Sequence, residues 1–214
     1  MADAPVSSGT IVVSGTGRVA VQPDVADLRL GVTVMRPTVE GARAEAAATM
    51  GAILSAVDAA GVARVDVRTA MLSVQPRYDY RDDRAPALTG YEIANLVEVS
   101  VRDLTRLGEI VDETLGAGAT SMDSLTFRVA DPAPAERQAR VLAMTEARSR
   151  ADVLAEAAGL TIAGVSDIVE GSPVQPPIPV AKAERMALAA DVATPVEAGT
   201  LEVSVSVTVT YRAS

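Results

Sequence analysis

Residues 201–212, LEVSVSVTVTYR, alternate without a break. Leu201, Val203, Val205, Val207, Val209 and Tyr211 fall on one face; Glu202, Ser204, Ser206, Thr208 and Thr210 fall on the other. A period of two is the mark of a half-buried β-strand. Burying the apolar face contributes about 10 kcal/mol, and fixing the backbone of the stretch costs about as much or more. Such a strand persists only inside a larger sheet. With no proline and few charges it would aggregate if left at an edge, so an internal position is predicted.

The rest of the chain supplies partners for it. Residues 11–13 and 19–21 read as strand on either side of a Gly15/Gly17 kink, and residues 25–36 alternate again. Thr38 opens a helix with the stripe Val39, Ala42, Ala46, Met50, Ile53 and Val57, which Gly61 closes in the left-handed conformation. Residues 65–78 return as strand with a change of phase near Thr69, the sign of a bulge. Tyr91, Ile93, Val97, Val99 and Val101 share the next strand face. Asp103 caps a short helix bearing Leu104, Leu107, Val111 and Leu115, and Leu125, Phe127 and Val129 mark another strand. Asp131-Pro132 starts a helix that buries Ala139, Leu142, Ala143, Ala147, Ala151, Leu154 and Ala158, up to Gly159. Glu136–Arg140 and Glu146–Arg150 are i,i+4 pairs on its outer face. Residues 162–169 are strand. The order is β-β-α-β-β-α-β-α-β-β, an α+β fold with mixed or antiparallel sheets and helices packed on one face.

Composition narrows the chemistry. The 214 residues include no His and no Cys, which removes Ser-His-Asp triads, thiol nucleophiles, the usual zinc sites and disulfides. Lys182 is the only lysine, so a Schiff base or a pairing with Ser166 or Ser172 would rest on it alone. A net charge of -9 speaks against nucleic acid as partner. No apolar run reaches membrane-spanning length, so no membrane insertion is expected. Residues 1–9 read as a flexible N-terminus without the basic and apolar regions of a signal peptide. The address expected from them is cytoplasmic, although a mature exported form with an added Met would read the same.

Two motifs invite stronger readings. GTGRVA (residues 15–20) matches the dinucleotide pattern, but the helix that the pattern needs is replaced by VQPDVADLRLGV, which alternates and contains proline. YDYRDDRAP (residues 78–86) gathers Asp79, Asp82 and Asp83 with Arg77, Arg81 and Arg84. The acids suit Mg²⁺ or Ca²⁺ in principle, and a small carboxylate- or metal-dependent enzyme built on the Asp79–Asp83 loop is the alternative reading of the protein. The arginines oppose a cation there. Tyr78, Tyr80 and Arg81 are instead the residue types that protein interfaces favour. No cofactor is expected.

Residues 172–199 form a long excursion between two strands. Four prolines in seven residues (Pro173, Pro176, Pro177, Pro179) stiffen its start, and an Ala-rich stretch follows. Its few large apolar groups do not offset the cost of ordering two dozen residues. It is read first as an arm that docks on another copy of the chain, through Ile178, Val180, Ala183, Met186, Ala187 and Ala190; a mobile loop and packing on its own domain are the alternatives.

These stretches together resemble the SIMPL-domain family. VSGTGRVAVQPDVADLRLGV, the run from GYEIANLVEVSV to SLTFRVAD, ARSRADVLAEAAGLTIAGVSDIVEG and PVEAGTLEVSVSVTVTYR carry the likeness, from about Ile11 to Arg212. The family elements stand here as Gly15/Gly17, Pro23/Asp24, Tyr91/Asn95 and Pro195/Gly199. The resemblance implies one α+β domain over residues 10–214, and exported, oligomer-forming relatives. These include periplasmic immunogenic proteins and proteins associated with oxidative-stress defence. It implies no catalytic residues. Asn95 is expected to face inward and satisfy a buried backbone group. The function expected is a non-enzymatic homo-oligomer, ring-like in form, acting as scaffold or binding module for a partner that the sequence does not name.

Overall fold

The computed structural model describes residues 9–80, 85–171, 178–180 (by backbone alone) and 194–214. Its elements are β1 (Gly9–Val21), β2 (Val25–Arg36), α1 (Val39–Ala59), β3 (Val67–Asp79), β4 (Ala87–Val101), α2 (Leu107–Gly116), β5 (Ser121–Arg128), α3 (Ala133–Ala158), β6 (Ile162–Glu170), β7 (Ile178–Val180) and β8 (Thr200–Ala213). This is the expected α+β order with one added strand, β7. The chain divides into two compact units. The first holds the described parts of Met1–Gln22, Val129–Ala183 and Gly199–Ser214; the second holds those of Pro23–Arg128 and Glu184–Ala198. The resemblance set one domain over residues 10–214; the packing inside that span is twofold.

In the first unit an antiparallel sheet runs β1-β8-β6, with β7 also paired to β8. β8 is hydrogen-bonded on both sides, and every apolar residue of its alternation is buried. Helix α3 lies on β1 and β8. Its buried residues are Ala135, Ala139, Ala143, Ala147, Ala151 and Ala155, an unbroken i,i+4 row. Such a row runs obliquely around a helix, which suits a helix laid on a twisted sheet. Leu142 and Leu154, expected in this stripe, are exposed instead. They lie off the row, and only alanine is small enough for the approach that the sheet makes.

Gly15 and Gly17 explain that approach. They form no kink, since β1 pairs with β8 continuously from Gly9 to Val21. A Cβ on Gly17 would lie 1.8 Å from the Ala139 carbonyl oxygen, and one on Gly15 would lie 2.1 Å from that of Ala143. The glycines bring strand backbone onto helix backbone. Two charged side chains then finish the edge of the sheet. Glu146 accepts from the Thr16 N–H at 2.5 Å, Arg150 donates to the Ser14 carbonyl at 2.8 Å, and the two pair with each other. The pair expected on the outer face of α3 is a clamp on an edge strand, which blocks its free backbone groups from strand addition.

The Thr16 N–H holds the Glu146 carboxyl below its usual range, with Arg150 and Arg18 adding to the effect against a smaller rise from burial. A folded pKa below the unfolded one gives stability that is complete above the ordinary carboxylate range and is lost as pH falls through the folded value. Glu146→Gln is therefore expected to flatten the acid limb of the stability curve below about pH 4.5. Thermal melts across pH 3–7 read this, and an unchanged acid limb in the variant contradicts it.

The second unit has an antiparallel sheet of order β3-β4-β2-β5. Leu28, Leu30, Val32, Val97 and Val99 from the sheet meet Met50, Ile53 and Val57 of α1 and Leu107, Ile110 and Val111 of α2. Thr38 caps α1 by accepting from the Gly41 N–H, and Gly61 follows the helix at φ 83°. Arg106 donates to the Ala60 carbonyl, closing the same helix end. The bulge expected near Thr69 is a register shift between Thr69 and Met71. Val39 and Leu115, expected in helix stripes, are exposed, and the buried face of α2 takes in Thr114 in place of Leu115. The end of the excursion is fastened here: Thr194 donates its N–H and its hydroxyl to Asp112 at 3.0 and 2.5 Å, and Val196 packs against the core.

Candidate interaction surface

Both sheets share one design. Each main helix covers two strands, α3 over β1 and β8 and α1 over β2 and β4, so the helix-side face of one edge strand stays bare. On β3, Leu72 and Val74 stand opposite Asn95 and Ile93. Ile93 belongs to the core, and residues directly opposite in an antiparallel pair share a face. Leu72 is nevertheless 67% exposed and Val74 51%. On β6, Val165 and Ile168 stand opposite the buried Tyr211 and Val209, and both are exposed. Sequence reasoning missed these rows. The only signal was an apolar period on strands with too few helices to cover them.

The edges themselves are poor templates for another strand. β3 carries Pro76 and two register shifts, and β6 carries two more. Bulges and proline at an edge oppose strand addition. The faces, not the edges, offer contact area.

Of the residues expected at an interface, Tyr78 and Tyr80 are exposed at the end of β3, with ring centroids 6.3 Å apart. Ile178 and Val180 belong to β7, whose backbone pairs with Glu202 and Thr200 of β8. Arg81, Ala183, Met186, Ala187 and Ala190 lie outside the described residues, as do Asp82 and Asp83 of the acidic loop. Among the described residues no three carboxylates gather to hold a metal ion, and no helix is long and apolar enough to cross a membrane.

The displaced carboxylates are structural. Burial raises the Asp27 pKa, but hydrogen bonds from Arg128 and Ser100 outweigh it and hold the group below its usual range. Arg102 does the same for Asp66, Thr105 for Asp103 and Thr194 for Asp112. Each stays charged at neutral pH, tied to a cation or a hydroxyl.

The family elements sit where the chain changes unit or where backbones meet. Pro23 and Asp24 begin the second unit and Gly199, at φ 61°, begins the return to the first. Gly31 faces Asn95: a Cβ there would be 2.1 Å from the Asn95 carbonyl oxygen. Asn95 is half-buried, and this close backbone approach is what its position provides.

Comparison with known proteins identifies relatives of the chain. The chain is 32% identical over 209 residues to the 26 kDa periplasmic immunogenic protein of Brucella melitensis, covering 94% of this chain and 84% of the relative. It is equally similar to the protein of that name from Brucella abortus. It is 34% identical over 145 residues to the uncharacterized protein YggE of Escherichia coli K12, covering 68% of this chain and 58% of YggE. The cytoplasmic address expected from the first residues is overturned by the periplasmic name of the Brucella relatives. The composition of those residues was no guide to compartment. The model for SIMPL, a family of proteins of unknown function (DUF541), matches residues 11–211, and the chain belongs to that family.

Proposed function

We propose that the chain is a non-enzymatic, self-associating protein of the periplasm that serves as a scaffold or binding module. The observation that carries this reading is the bare apolar row Leu72–Val74 on the helix-side face of β3, extended by the exposed Tyr78 and Tyr80. Exposed apolar rows on a core-facing side are what a further layer of protein covers. The carboxylates held low by arginines and hydroxyls fit a structural role better than proton transfer, which calls for a pKa near the working pH. The relatives' periplasmic name supports the compartment.

Light scattering on the purified chain at micromolar concentration is expected to give a multiple of 22.0 kDa. Leu72→Asp with Val74→Asp is expected to reduce that mass while leaving the melting temperature within a few degrees, since both side chains are exposed. A Gly/Ser linker in place of residues 181–193 keeps β7 and the Thr194 clip, and is expected to lower the mass as well. A parent of 22.0 kDa at that concentration overturns the proposal.

A further inference from the structure

A cleft of about 470 Å³ opens in the second unit between the C-terminal half of α1 and the start of β3. Its floor is Val57 and Val97, both buried, with Val62, Val67 and the partly exposed Leu54 around them. Ser55, Asp58, Arg64, Arg68 and Thr69 supply polar groups around that apolar floor, and an apolar floor with polar groups placed about it is a form that small-molecule sites take.

Two features at the mouth narrow the occupant. Asp58 comes from the last turns of α1 and Arg64 from the turn before β3, and both line the cleft together with Arg68, whose charge is met by Glu98. Asp58 and Arg64 are too far apart for an ion pair with each other. Neither side chain has a hydrogen bond or ion pair among the described residues, whereas the neighbouring Arg68 is tied to Glu98 by two hydrogen bonds.

Gly51 is the second feature. It lies inside α1 and lines the cleft. Glycine is the least favourable residue for a helix interior after proline, and a Cβ there would meet nothing within 4 Å. No packing among the described residues requires it. Its effect is to leave helix backbone open to whatever lies in the cleft.

We propose that this cleft binds a small zwitterion with an apolar body, of which a free apolar α-amino acid is the simplest case. The ammonium meets Asp58, the carboxylate meets Arg64, and the side chain lies over Val57 and Val97 against Gly51. The site is separate from the Leu72–Val74 row, and its test does not depend on assembly.

An amide-resolved NMR titration with L-phenylalanine is expected to give saturable shifts at Gly51, Leu54, Val62 and Val67. 3-Phenylpropanoate lacks the ammonium and 2-phenylethylamine lacks the carboxylate. Each is expected to bind about twofold to fivefold more weakly, the range for one solvent-exposed charged contact. Asp58→Asn should remove the preference over 3-phenylpropanoate and leave that over 2-phenylethylamine, and Arg64→Gln should do the reverse. Gly51→Leu fills the cleft without disturbing the core, and should abolish the shifts while the melting temperature stays level or rises. The proposal is overturned by absence of saturable shifts at these amides, by equal binding of the three ligands, or by parental binding in Gly51→Leu.

Discussion

Gly17→Val is expected to unfold the first unit. A Cβ at this position would stand 1.8 Å from the Ala139 carbonyl oxygen and 2.7 Å from the Ala143 nitrogen, and both are backbone atoms of α3. No rotamer change relieves a clash between two backbones. β1 and α3 would have to separate along their length, which opens the alanine row Ala135–Ala155 and breaks the contacts of Glu146 with Thr16 and of Arg150 with Ser14. Overpacking a core costs about 1–3 kcal/mol where side chains can adjust. Here they cannot, so a loss of at least about 3 kcal/mol is expected, a large part of the stability of a unit this size. Gly17→Ala places the same Cβ and should show most of the effect. Circular dichroism melts measure it, and a variant melting within two degrees of the parent would show that helix and strand do not approach as described.

Val205→Asp is the second large expectation. Val205 is opposite Gly17 in the β1–β8 register, 3% exposed, and packed in the alanine-lined core. A carboxylate there enters a cluster of valines and alanines and loses its water, a cost of several kcal/mol whether it stays charged or takes up a proton. Since β8 is paired on both sides, its loss leaves β1, β6 and β7 without their common partner. The variant is expected to be insoluble or unfolded. Ser206→Asp supplies the control, because Ser206 is exposed on the opposite face of the same strand, and it should change stability by less than about 1 kcal/mol. Equal behaviour of the two variants would contradict the assignment of faces.

The contrast between residues 205 and 206 also shows what was legible beforehand. Alternation over twelve residues specifies which face is buried, because a period of two leaves no other arrangement. Helix ends were legible for a similar reason: Thr38 and Gly61 act through their own neighbours, so capping chemistry is written locally. The bulge near Thr69 showed as a change of phase. The candidate surface was legible only in part. Tyr78 and Tyr80 are exposed as expected, whereas reading residues 65–78 as a strand gave no sign that Leu72 and Val74 stay bare.

What the sequence determined by itself is therefore the local layer: strand faces, caps, the order of elements and the SIMPL resemblance. These depend on neighbours within a few positions, where periodicity and capping act. Only the tertiary structure decided the roles of Gly15, Gly17 and Glu146, the exposure of Leu142 and Leu154, and the division into two units. The glycines read as a kink because a missing side chain looks the same whether it allows a bend or admits another backbone. Glu146 and Arg150 read as a surface pair because nothing near them in sequence reveals a strand 130 residues away with unpaired amides. The bare rows on β3 and β6 exist because one helix is too narrow to cover every strand of its sheet, and the strand left uncovered depends on where the helix lies.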